Sequence, residues 1–355
     1  MSQRIILFGP LPPPYGGVAI YMKTLVAHLR DSGIRVWTYG SRPDDSRVRY
    51  IAHRRLGTVW ALLAEGRAAR ILDATHFHFE YPNPLLLPLW LILKRVLRFE
   101  WYKNVLDGSL PKRYPQFSKI QRWLFRRALN SVDKFLVVSD ELGRWLKEEM
   151  NAHQSIAIVP CLLPAPPGEE LTQLSNTTDE IIRPFLAHRK RVCSIGVFYP
   201  SYGFSDVARA VELLRESGED IGLILLDGVF VRDEQYRDEV LRNRSWITVL
   251  EKVPNPQVYE ILKKSDAFVR AFADESFGIA RIEALWCGIP VVATRAGETR
   301  GMLLYDFGNV EQLVAQLQRA LFQKPDEEIQ NWAAQYRQEA EANLQTLKKE
   351  LGLEE

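Results

Sequence analysis

Two carboxylates, Glu275 and Glu283, bracket the segment SFGIARI. The helix expected here has about 3.6 residues per turn, so an acid before it and an acid about two turns along it do not point the same way. Glu275 precedes that helix, near its positive end. Glu283 lies inside it. Between them the amides of Ser276, Phe277, Gly278 and Ile279 are expected to lack intrahelical partners, and such a row is an anion site. Gly278 lets the backbone come close to a ligand. Acids at the two ends can hold hydroxyls, and the amides between can hold phosphate. Together these groups suit a sugar joined through a diphosphate to a ribose. The plainer alternative is a pair of solvated glutamates on an ordinary strand–helix–strand unit.

That unit is legible around them. Ala267–Ala271 is a short apolar run that reads as a buried strand, and Phe272–Ser276 is a polar break with Ser276 as N-cap. The helix is expected from Phe277 to Trp286, with Ile279, Ile282, Leu285 and Trp286 on one face. Gly288 stands where a C-cap glycine belongs, Pro290 prevents continuation, and Val291–Thr294 is the next strand.

Upstream, Arg4–Phe8 reads as a first strand and Gly9–Gly17 (GPLPPPYGG) as a loop, in which Gly16 and Gly17 either free the backbone for a ligand or make a tight turn. Leu56–Leu72 reads as a helix and Ala74–Phe79 (ATHFHF) as an alternating strand. His78, near the end of that strand, is a substrate-contact candidate, with a packed or solvated histidine as the alternative. His76 and His78, two apart on the expected strand, are not expected to complete a metal set. Tyr102–Leu110 reads as a strand ending in Asp107–Gly108.

The chain has 355 residues, enough for two domains, and a formal net charge of +2, which argues against a dedicated nucleic-acid binder. Its three scattered cysteines suggest no disulfide framework and fit a reducing cytosol. The N-terminal residues do not read as a secretion signal, and the longest apolar run, Pro84–Leu93, is too short to span a bilayer. A cytoplasmic protein is therefore expected. Between Lys94 and Lys134 basic residues far outnumber acids and aromatic residues are interleaved. Such a surface suits the anionic inner face of a membrane, or a lipid-diphosphate acceptor. The charged outer face of a core helix would read the same way.

The stretch Glu275-SFGIARI-Glu283-AL-WC-Gly288-I-Pro290-VVAT resembles the donor-site signature of family-four retaining glycosyltransferases, whose two-domain fold is called GT-B. The variant is most similar to enzymes of capsule and exopolysaccharide assembly. There Arg270 (FVRAF) matches an arginine before the signature. The resemblance implies an α/β protein of two Rossmann-like domains facing across a cleft. Residues 1–163 would be the acceptor domain, 164–185 a linker and 186–324 the nucleotide-sugar domain. Residues 325–355 would form a helical tail crossing back to the first domain. The implied reaction moves a sugar from a UDP- or GDP-sugar to a saccharide or lipid-linked acceptor, with retention, in polysaccharide or glycan assembly. It needs no metal and no cofactor. Glu275 would hold hydroxyls of the donor sugar, Glu283 the ribose, and Arg270 with the helix amides the diphosphate. Gly16 and Gly17 would meet the donor phosphates or the acceptor.

Three positions depart from the family pattern. Val197 and Tyr202 stand where an arginine and a lysine grip the diphosphate, and Leu106 replaces a histidine near the reacting sugar. Asp107 is then the acceptor-side candidate, an Asp-Gly turn without chemistry being the alternative. These departures keep open a second function, a non-catalytic sugar-nucleotide-binding or partner protein on the same fold.

Overall fold

The structure, a computed structural model, describes residues 4–13, 16–29, 32–40, 48–51, 56–67, 69–76, 79–163, 174–229, 231–323 and 327–353. The chain divides into two compact units. One comprises Met1–Pro13, Gly17–Pro164 and Glu341–Glu355, the other Pro14–Gly16 and Ala165–Ala340. Each is built on a parallel sheet.

In the first unit the described strands are β1 (Ile5–Leu11), β2 (Arg35–Gly40), β3 (Val48–Tyr50), β4 (Arg70–Asp73), β5 (Glu100–Val105), β6 (Lys134–Val137) and β7 (Ser155–Ile158). They lie in the order β3-β2-β1-β4-β5-β6-β7, every pair parallel. The order reverses between β1 and β4, so ligand-binding loops are expected beyond the carboxyl ends of those two strands.

In the second unit β8 (Lys190–Gly196), β9 (Ile221–Asp227), β10 (Ile247–Glu251), β11 (Ala267–Arg270), β12 (Val291–Thr294) and β13 (Leu303–Tyr305) run in the order β10-β9-β8-β11-β12-β13, again all parallel. Here the order reverses between β8 and β11. The whole of β9, IGLILLD, is buried, as a strand covered on both faces requires. The helices Phe204–Glu216 and Val310–Phe322 pack together over one face of this sheet, through Val207, Val211, Leu313 and Leu317.

Several expectations are corrected. β1 runs on to Leu11, and Gly9 belongs to the strand rather than to a loop. A Cβ there would lie 2.9 Å from Met22 Cγ, so glycine lets the helix Gly17–His28 sit close on the strand. β4 is Arg70–Asp73, and of the expected strand Ala74–Phe79 the described residues Ala74, Thr75, His76 and Phe79 lie in no strand. The preceding helix stops at Glu65, and Ile71 and Leu72 pair with β1 and are buried. β5 ends at Val105, five residues before Leu110. All but the last residue of the helix Asn176–Leu186, capped by Ser175 and anchored by buried Ile182 and Phe185, falls in the stretch assigned to the linker.

The last helix, Glu327–Leu351, contributes to both units. In the second, Trp286 Nε1 donates to Ala333 O at 3.1 Å, and Arg300 holds Glu339 at 2.9 Å. In the first, Arg70 donates to Leu351 O at 2.5 Å and Lys134 pairs with Glu350. Among the described residues no helix is long and apolar enough to cross a membrane.

Candidate active site

The loops beyond β8 and β11 converge at the switch point of the second sheet. Arg270 closes β11. Its Nη1 donates to Ile195 O on β8 at 2.5 Å, and its Nε donates to Glu275 Oε2 at 2.6 Å. The guanidinium also lies over the rings of Tyr202 and Phe272, which stack with centroids 4.2 Å apart. Among the described residues its third nitrogen, Nη2, makes no hydrogen bond.

Glu275 is nearly buried, and burial alone would raise its carboxyl. The charges of Arg270 and Arg281, with hydrogen bonds from Arg270 and the Ser276 amide, outweigh that and hold it below the ordinary glutamate value. It is an ionised acceptor. Two glycines make room for it. A Cβ on Gly297 would stand 2.9 Å from Glu275 Cγ, and one on Gly278 would stand 3.2 Å from the same atom and 2.8 Å from Arg281 Cδ.

The helix starts later than its sequence suggests. It spans Ile279–Trp286, and its N-cap is Gly278 in the left-handed region at φ 97°, not Ser276. Only glycine takes that backbone cheaply. Ser276 and Phe277 therefore precede the first turn. The amides of Ile279 and Ala280 open the helix, while that of Arg281 turns back to Gly278 O at 2.9 Å. The Phe277 carbonyl accepts the Glu298 amide at 2.9 Å, tying the loop after β12 to this turn.

Glu283 is buried one turn further on. Asn255 Nδ2 at 2.9 Å and Tyr259 OH at 3.2 Å both donate to its Oε1, and among the described residues Oε2 accepts nothing. Burial raises its carboxyl above the ordinary glutamate value, and the two hydrogen bonds only partly offset the shift. The acids thus differ: Glu275 is matched by two arginines, Glu283 by neutral donors.

Sequence reasoning did not single out Arg281. It is fully buried, and donates to Ala296 O at 2.5 Å, Glu298 O at 2.9 Å and Thr294 Oγ1 at 3.0 Å. Burial pushes its pKa down to about 10, so it keeps its charge beside Glu275. Periodicity could not find it, because a charged residue on a helix scores as solvent-facing. Asn255 and Tyr259, on the helix Asn255–Lys263, carried no signal either.

The positions that depart from the family pattern are filled by packing. Val197 is buried and Tyr202 is half of the aromatic pair under Arg270. Arg300, the other cation near the loop, is engaged by Glu298 at 2.8 Å and Glu339 at 2.9 Å.

In the first unit Asp107 follows β5. Arg113 donates to its Oδ2 at 2.7 Å, and the amide and hydroxyl of Ser109 donate to its Oδ1 at 2.9 and 2.6 Å. Burial works against its charge, but Arg113 and these bonds keep its carboxyl below the ordinary aspartate value. Close by, buried Lys103 lies 3.2 Å from buried Glu80 and donates to three backbone carbonyls. Gly17 opens its helix with nothing among the described residues within 4 Å of the Cβ it lacks, and Gly16 precedes it. His78 lies outside the described residues.

Comparison with known proteins agrees with this architecture. Residues 15–163 match the model of Glycosyltransferase Family 4, and residues 178–339 that of Glycosyl transferases group 1. The uncharacterized glycosyltransferase MJ1178 of Methanocaldococcus jannaschii is 24% identical over 80% of this chain and 77% of its own length. The phosphatidylinositol N-acetylglucosaminyltransferase GPI3 subunit of Saccharomyces cerevisiae is 25% identical over 48% of this chain, which spans 37% of that relative. Anabaena Alr3699/HepE, solved in complex with UDP and glucose, superposes with a TM-score of 0.72 at 16% identity. That match covers 99% of this chain and 100% of the other, and supports the fold alone. With a family model on each half, the chain belongs to the glycosyltransferases of the GT-B fold.

Proposed function

We propose that the protein transfers a sugar from a UDP- or GDP-sugar to a saccharide or lipid-linked acceptor, with retention of configuration and without a metal, in polysaccharide or glycan assembly. The observation that carries this reading is the setting of Glu275. It is an ionised acid between two arginines, next to a helix start and at the switch point of a parallel sheet. Glu275 holds hydroxyls of the donor sugar. Arg270 Nη2 and the amides of Ile279 and Ala280 face the diphosphate and stabilise it as it leaves. Ser276, Phe277 and Gly278 carry the backbone past the donor, and Oε2 of Glu283 takes the ribose hydroxyls. Asp107 serves the acceptor side, Gly16 and Gly17 meet the donor phosphates or the acceptor, and His78 contacts substrate. The bond from the anomeric carbon to the diphosphate oxygen breaks, and the acceptor oxygen bonds that carbon on the same face. The acceptor proton passes to the departing diphosphate oxygen.

A panel of UDP- and GDP-sugars, offered with saccharide and polyprenyl-phosphate acceptors in the presence of EDTA, tests this. One donor should be consumed, and the product's anomeric signal by NMR should match the donor's. Turnover that requires an added divalent metal, or an inverted product, would contradict the scheme. A second reading, binding without turnover, is favoured by one observation: Val197 and Tyr202 supply no charge, and Arg300 is occupied elsewhere. Calorimetric binding with no product from any acceptor would establish it.

A further inference from the structure

We propose that the first unit docks on an anionic lipid bilayer through the outer face of three neighbouring helices. The proposal does not rest on the transferase reading. The helices Leu56–Glu65, Leu86–Leu97 and Lys119–Leu129 connect β3 to β4, β4 to β5 and β5 to β6. All three crossovers advance in the same direction along the sheet, so right-handed connections place them on one face. The middle helix packs against both of the others.

That middle helix is apolar on both sides. Leu87, Trp90 and Leu93 are buried. Leu85, Leu89, Ile92 and Val96, spaced by four, three and four residues, form a second ridge that faces solvent. Leu85 is 72% exposed and Val96 69%. An apolar ridge left facing solvent on a helix whose opposite ridge is already buried is a surface that another apolar phase or partner covers. The flanking helices extend the surface: Trp60, 69% exposed, with Leu63 on one side, and Ile120 with Trp123 on the other. A patch of this kind marks an interaction site.

Charge selects the occupant. Arg95, Arg98, Lys119, Arg126 and Arg127 are all exposed around the ridge, and Arg127 lies over the ring of Trp123 at 5.3 Å. The only acid in the three helices, Glu65, is held by Arg35, Arg49 and the indole of Trp37. Aromatic and aliphatic side chains among exposed arginines fit the headgroup boundary of an anionic bilayer. A second copy of the chain on a two-fold axis would bring the same arginines face to face.

The test is sedimentation of the full chain with vesicles of phosphatidylcholine alone and of equal parts phosphatidylcholine and phosphatidylglycerol. The protein should pellet with the mixed vesicles and stay in solution with the neutral ones. Binding should weaken at about 1 M salt, where the screening length is about 3 Å. I92E/V96E should lose binding by about tenfold or more. R126Q/R127Q should lose about fivefold per charge. Both should melt with the parent, because these side chains are exposed. Failure of the parent to bind mixed vesicles, equal binding to both kinds, or variants that bind like the parent would overturn the proposal. So would a dimer in velocity sedimentation that I92E/V96E disperses while vesicle binding is absent.

Discussion

Glu283 is the acid that costs the fold. Burial favours its neutral form, so the native chain keeps this proton to a higher pH than the unfolded chain does. Stability contributed by such a group is complete below the ordinary glutamate value, about 4.3, and is lost as pH rises through the raised value. Gln at this position cannot titrate. The melting temperature of E283Q should therefore gain on the parent's as pH rises from about 4 towards about 7. A constant difference across that range would show that the carboxyl is not destabilised. Arg281 presents the opposite case, a buried cation whose removal strands two carbonyls and leaves Glu275 with one fewer counter-charge. R281M should cost about 3–5 kcal/mol in a denaturant melt, the range for breaking a buried charged pair. A loss under about 0.5 kcal/mol, typical of an unimportant surface site, would remove it from the support of Glu275.

At the level of elements, the strand–helix–strand unit around the acids was readable from apolar runs and punctuation. Val291–Thr294 begins and ends where Pro290 and the apolar run place it. The helix start was misplaced because a left-handed glycine at 278 does what a serine cap usually does, and no periodicity reports a backbone angle. β4 was missed for another reason. The alternation in THFHF imitates a half-buried strand, while the true strand, RILD, is short and two-sided and merges with the helical pattern before it. The buried partners of Glu283 come from a different helix, a long-range contact that spacing cannot encode. Glycine at 297 gives a test at this scale. G297A and G218A both place alanine at positive φ, 75° and 99°, at a backbone cost of about 1–2 kcal/mol. Only at 297 would the new methyl meet Glu275, since nothing among the described residues lies within 4 Å at 218. G297A should melt below G218A by the cost of that contact, and only G297A should lose turnover, by about tenfold or more. Equal turnover in both would mean that the position of Glu275 is not critical.

For the whole molecule, the resemblance carried by the Glu275–Thr294 stretch implied two Rossmann-like domains, and both sheets have the reversed order that places ligand loops at a switch point. The helix Asn176–Leu186 escaped because the Pro-, Ser- and Thr-rich run before it hides its cap at Ser175. The arginine-ringed ridge was only partly visible. The basic run stood out in the sequence, but exposed apolar residues on three separate helices become one surface only once the sheet order is known. Nucleotide recognition by the acid pair is tested most directly by calorimetric titration of UDP and GDP into the parent and E283A. One nucleotide should bind the parent, and E283A should bind it at least about tenfold more weakly, a loss of about 1.4 kcal/mol. Equal affinity in the two proteins would contradict the assignment of Glu283 to the ribose.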